Sequence, residues 1–116
     1  MKPLNAEGLS SGLARVRLRF IDELQVRRSR LIELRSQLDD QSQCSEAMKE
    51  IGHINHKIAG TAETLGFPSL GASAAAIDNI IDKTKAWPTG PDPALLNQID
   101  SIISEMNLTQ EKGDCA

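Results

Sequence analysis

The stretch CSEAMKEIGHINHKIAGTAETL, residues 44–65, decides how this chain folds. Ile51, Ile54, Ile58, Ala62 and Leu65 recur at helical spacing, which gathers their side chains on one stripe of an α-helix from about Cys44 to Leu65. Gly66 stands where such a helix is stopped. Upstream, Asp39-Asp40-Gln41-Ser42-Gln43 breaks the apolar pattern, reads as a turn and offers N-cap acceptors to the helix that follows.

Working outward, a long first helix is expected from about Ser10 to Leu38, with Leu13, Phe20, Leu24, Leu31, Leu34 and Leu38 spaced for one face and Arg17 and Arg27 interrupting it. Downstream, Phe67-Pro68-Ser69 opens a third helix with proline near its first turn; Leu70, Ala74, Ile77, Ile80 or Ile81 and Thr84 are its buried stripe. The segment from Trp87 to Pro93 holds three prolines and a glycine and must be a loop, with Trp87 expected to cap one end of the core. A fourth helix should run from Asp92 to about Met106, with Leu95, Leu96, Ile99, Ile102, Ile103 and Met106 on its apolar face, and the polar tail 109–116 should fray. Four amphipathic helices joined by short connections favour an all-α, antiparallel, up-and-down four-helix bundle.

Composition narrows the class further. The 116 residues suit one domain, taken as residues 1–116 with a core at about 10–108. Hydrophobic residues at 40% and charged residues at 25% argue against a disordered chain. There is no tyrosine, and valine occurs only at Val16 and Val26, which is poor material for strands. The longest apolar run is four residues, Ala74 to Ile77, against about eighteen for a membrane span. No signal-peptide pattern follows Met1, so a cytoplasmic location is expected. Cys44 and Cys115 read as free thiols rather than a disulfide framework. All seven arginines fall between Arg15 and Arg35, giving residues 1–40 a charge of +2 (eight basic, six acidic) and residues 41–116 a charge of −5 (five basic, ten acidic).

The chemistry points to the second helix. At about 100° per residue, His56 lies roughly 140–180° from Ile51, Ile54, Ile58 and Leu65 and should face out of the bundle. Gly52 and Gly60 stand one turn to either side, with Ala59 about 60° away, so the imidazole is expected in a clearing. Glycine in mid-helix costs about 1 kcal/mol relative to alanine, so two of them around one histidine suggest a surface that something approaches.

Residues 55–70, NHKIAGTAETLGFPSL, resemble the signature of the histidine-containing phosphotransfer (HPt) domains of bacterial phosphorelays. That signature reads His-x-Leu-Lys-Gly, then small residues, a glycine and a leucine. His56 matches the phosphorylated histidine, Ile58 the apolar position and Gly60 the glycine one turn on, while Thr61 and Ala62 match the small pair, and Gly66 and Leu70 the closing residues. Ala59 stands where the family usually has lysine. The resemblance implies a phosphorelay intermediate, not an autonomous enzyme. His56 would take a phosphoryl group from a receiver aspartate or a kinase and pass it to a response-regulator aspartate. Partners would be receiver domains and a hybrid histidine kinase; the chain would need no cofactor, with Mg²⁺ held by the receiver. Lys57 and Lys49 are candidates for electrostatic support beside Ala59 and Gly60, and Gly52, His53, Gly60 and Glu63 for the docking surface. A monomer is the simplest expectation for a bundle with a polar surface.

Other readings are weaker. His53 and His56 with Glu46, Glu50 or Glu63 could in principle hold a metal, but no third firm ligand is evident, so no metal is expected. The arginine-rich first helix could neutralise phosphates, yet Asp22, Glu23 and Glu33 interleave with it and no aromatic platform accompanies it, so nucleic acid is not expected. Arg27 and Arg28 could instead complement an acidic receiver pocket. The alternative from another class is a catalytically silent helical adaptor that docks signalling proteins without carrying phosphate.

Overall fold

The computed structural model describes the backbone of residues 4–84 and 90–115 and the side chains of residues 12–84 and 90–109. It contains four helices: α1 (Leu4–Gln37), α2 (Gln41–Ala62), α3 (Pro68–Lys83) and α4 (Pro93–Cys115). Among the described residues there is no strand, and each helix packs on its two neighbours in cyclic order, α1 on α2, α2 on α3, α3 on α4 and α4 back on α1. Polar cross-links join each neighbouring pair. Arg30 reaches Glu50, His56 reaches Asp78, Ser73 donates to Glu105 at 2.9 Å, and Arg28 donates to the Ile103 carbonyl at 3.0 Å. The architecture is the expected all-α bundle.

The core is aliphatic. Leu24, Leu31, Leu34, Met48, Ile51, Ile58, Leu70, Ile77, Leu95, Ile99, Ile102 and Met106 are fully buried. Trp87 lies outside the described residues, so its expected capping role has no structural counterpart to report.

Four boundaries differ from the sequence reading, each for a local reason. Helix α1 begins at Leu4, not Ser10, and Leu13 is 52% exposed although its spacing marks it as core. Thirty-four residues rise about 51 Å, whereas the sixteen of α3 rise about 24 Å. Helix α1 is thus much longer than α3, and among its described side chains the buried stripe starts at Phe20. Helix α2 begins at Gln41, three residues before Cys44, because Asp40 takes an extended conformation and accepts from the Ser42 amide at 2.9 Å and its hydroxyl at 2.7 Å. The expected turn over residues 39–43 is therefore shorter. At its far end α2 stops at Ala62, three residues short of Leu65; Leu65 N–H still bonds the Thr61 carbonyl, Phe67 N–H donates to Ala62 and Gly66 N–H to Glu63, with Gly66 at φ +93°. This paired six-to-one and five-to-two closure around a left-handed glycine is the Schellman motif, so Gly66 ends the helix as its position suggested.

The fourth difference is the tail. Helix α4 continues to Cys115 instead of ending near Met106, and Thr109 is buried with its hydroxyl bonded to the Glu105 carbonyl. The antiparallel pairing set by Arg28 with Ile103, and by Arg35 with Asp100 at 2.9 Å, carries this last stretch towards the N-terminal half of the overlong α1. At the same end Phe20 stacks on Phe67 with ring centroids 5.8 Å apart, and the Arg17 guanidinium lies 5.2 Å from the Phe67 ring centre. The charge that interrupted the α1 stripe thus covers the turn between α2 and α3.

Candidate functional site

Helix α2 turns Ile51, Ile54, Asn55 and Ile58 inward and leaves His53, His56, Lys57, Gly60 and Glu63 in solvent. The His56 side chain keeps 75% of its accessible surface, in line with the angular reading of the sequence. Its surroundings are not a simple clearing.

Gly52, expected on the docking surface, is buried. A Cβ there would sit 2.9 Å from Cγ2 of Ile81, so the residue is glycine because α3 crosses α2 closely at that point. Gly60 is the opposite case: a Cβ built on it meets nothing within 4 Å, and packing within the chain does not require glycine there. Ala59 is half-buried and packs against the core.

The close approach of α3 supplies the residue that sequence reasoning missed. Asp78 Oδ2 lies 2.9 Å from His56 Nδ1, and the Asp78 side chain is 28% exposed. An ionised carboxylate only accepts hydrogen bonds, so Nδ1 carries the proton and donates it. In the neutral ring this leaves Nε2 with a free lone pair. The α2–α3 hairpin folds about Gly66, with His56 ten residues before it and Asp78 twelve after, so an antiparallel register could have nominated Asp78.

An open groove of about 770 Å³ runs along this face. Leu34, Ala47, Gly52 and Ile81 give it an apolar floor, while Arg30, Lys49, Glu50, His53, His56, Asp78 and Asp82 line its polar margins. Lys49 is therefore brought to the same groove as His56, whereas Lys57, Gly60 and Glu63 are exposed outside it. One margin is held by Arg30, which donates from Nη2 to Glu50 Oε1 at 2.8 Å, from Nε to the other Glu50 oxygen, and from Nη1 to Glu33 at 3.1 Å. Those bonds hold the Glu50 carboxyl below the usual carboxylate range.

Three further arginines of α1 are engaged within the chain. Arg27 pairs with Glu23 at 3.6 Å, Arg28 bonds the Ile103 carbonyl and Arg35 pairs with Asp100. Arg27 and Arg28, considered above for docking, do not line the groove; Arg30 is the arginine beside it. Among the described residues no three His, Cys, Asp or Glu side chains gather closely enough to hold a metal ion.

The profile of the Hpt domain matches residues 15–108, most of the chain and all of the site. The chain belongs to the Hpt domain family. That membership gives it a phosphotransfer-related signalling role in two-component systems, since Hpt domains carry phosphoryl groups and interact with receiver domains and kinases. No significant match is found among curated proteins or among solved structures. Among the described residues, no helix of this Hpt chain is long and apolar enough to cross a membrane.

Proposed function

We propose that His56 is the phosphoryl carrier of this Hpt domain. The observation that carries the reading is an imidazole 75% exposed on a helix whose other face is core, with Nδ1 tied to Asp78 and Nε2 left to react. Nε2 attacks the phosphorus of an aspartyl phosphate on a receiver, or takes the group from a kinase, and a second receiver aspartate removes it. The transition state is met mainly by the partner, whose Mg²⁺ neutralises the transferring oxygens.

The apolar groove floor and the open surface at Gly60 are the parts that a receiver covers. Lys49, His53, Lys57 and Glu63 are exposed near His56 and set charge complementarity for docking. The protein acts as a monomer in the cytoplasm and holds no metal or cofactor of its own.

The test is transfer of labelled phosphate from phosphorylated receiver domains to the wild type and to His56→Gln. Acid-labile label on the wild type alone supports the proposal. Receiver binding without label on either protein indicates a silent adaptor, a role that Ala59 in the lysine position would suit.

A further inference from the structure

We infer that Asp78 is a positioning residue for phosphoryl transfer: its carboxylate keeps Nδ1 of His56 protonated while Nε2 carries the phosphoryl group, so that the ring can leave as neutral imidazole. The inference rests on the reading of His56 as the carrier.

The geometry supplies the argument. Asp78 sits on α3, held against α2 by the close crossing at Gly52, and its Oδ2 lies 2.9 Å from Nδ1. Among the hydrogen bonds of the described residues, this is the one made by the His56 ring. The other charged groups facing this region are Arg30 of α1, already engaged by Glu33 and Glu50, then Glu46, Lys49, His53 and Lys57 of α2, and Asp82 of α3.

The transfer step balances without a proton from solvent. On acceptance, the Nε2 lone pair forms the N–P bond, the P–O bond to the donor carboxyl breaks, and that carboxylate leaves with the electron pair. The ring is now a phosphoimidazolium whose positive charge is shared with Nδ1–H. A carboxylate in hydrogen-bond contact favours that charged form over the deprotonated one. On donation, the acceptor carboxylate forms a new O–P bond, the N–P pair returns to Nε2 and neutral Nδ1–H imidazole remains. If Nδ1 loses its proton first, the leaving group becomes imidazolide, a much poorer one.

Asparagine at position 78 can accept the same Nδ1–H bond without the charge, so Asp78→Asn isolates the electrostatic part. The wild type, Asp78→Asn and Asp82→Asn are phosphorylated with phosphoramidate, and Nδ1 protonation and N–P hydrolysis are followed by ¹⁵N and ³¹P NMR as pH rises. We expect the Nδ1 midpoint of the phosphorylated Asp78→Asn protein to fall by about one pH unit, a tenfold loss of proton affinity, with the hydrolysis profile moving equally and Asp82→Asn unchanged. Equal midpoints in the wild type and Asp78→Asn, or an equal shift in Asp82→Asn, overturn the role of Asp78 while leaving His56 as carrier. Absence of a phosphoryl group on His56 in the wild type overturns both readings.

Discussion

At the scale of single residues, two glycines that look alike in sequence have opposite reasons to exist. Gly60→Ala fills open space in a helix interior, so chemical denaturation should show a gain of about 0.5–1 kcal/mol, while transfer from a receiver should slow because the added methyl stands on the docking side. Gly52→Ala drives a methyl against the β-branch of Ile81 and should cost about 1–3 kcal/mol in the same assay. A stabilised Gly52→Ala would show that α3 can move away freely. Asn55 poses a separate question, because it is fully buried, its Nδ2 donates to the Ile51 carbonyl at 2.8 Å and its Oδ1 has no partner among the described residues. An orphaned buried acceptor costs about 1–3 kcal/mol, so Asn55→Leu should leave the melting temperature equal or higher. A clear drop would mean that Oδ1 is satisfied in solution.

At the scale of elements, the ends of α2 set its register and therefore the place of His56. Gly66 holds φ +93°, a left-handed conformation that disfavours side chains, and Gly66→Ala should lower stability by roughly 1–2 kcal/mol. The same change should loosen the Nδ1 contact with Asp78, visible as altered His56 ring chemical shifts in NMR. At the other end, the Ser42 bonds hold the Asp40 carboxyl below its ordinary range. A depressed carboxylate pKa contributes stability that is present above the unfolded-state pKa and lost as pH falls through the folded one. Thermal melts of the wild type should therefore lose stability on acidification from about pH 5 downward, and Asp40→Asn should show a shallower fall over that window. Glu50, held low by Arg30, adds to the same acid-side loss with the same sign. An unchanged slope in Asp40→Asn would remove the cap from this account.

At the scale of the whole molecule, four antiparallel helices share one aliphatic core, and its centre should behave as a unit. Ile58 is fully buried two residues from His56, and Ile58→Ala should cost about 2–5 kcal/mol by denaturation. Because the site is assembled from α2 and α3, transfer activity should fall in step with the folded fraction. Activity persisting in an unfolded Ile58→Ala protein would show that the exposed histidine acts without the bundle.

The sequence by itself determined the helix count, the inward stripes of α2, α3 and α4, the outward direction of His56 and the resemblance that family membership bears out, because helical periodicity and a short motif are local properties of the chain. It also placed Gly66 correctly, since a left-handed helix end has a local chemical demand. Only the tertiary structure decided that Leu13 lies beyond the bundle, that the tail continues α4, that Gly52 is buried where α3 crosses α2, and that Asp78 meets Nδ1 of His56. Each of these depends on which residue of one helix stands opposite which residue of another. That register is a property of the packed bundle, and no single helix carries it.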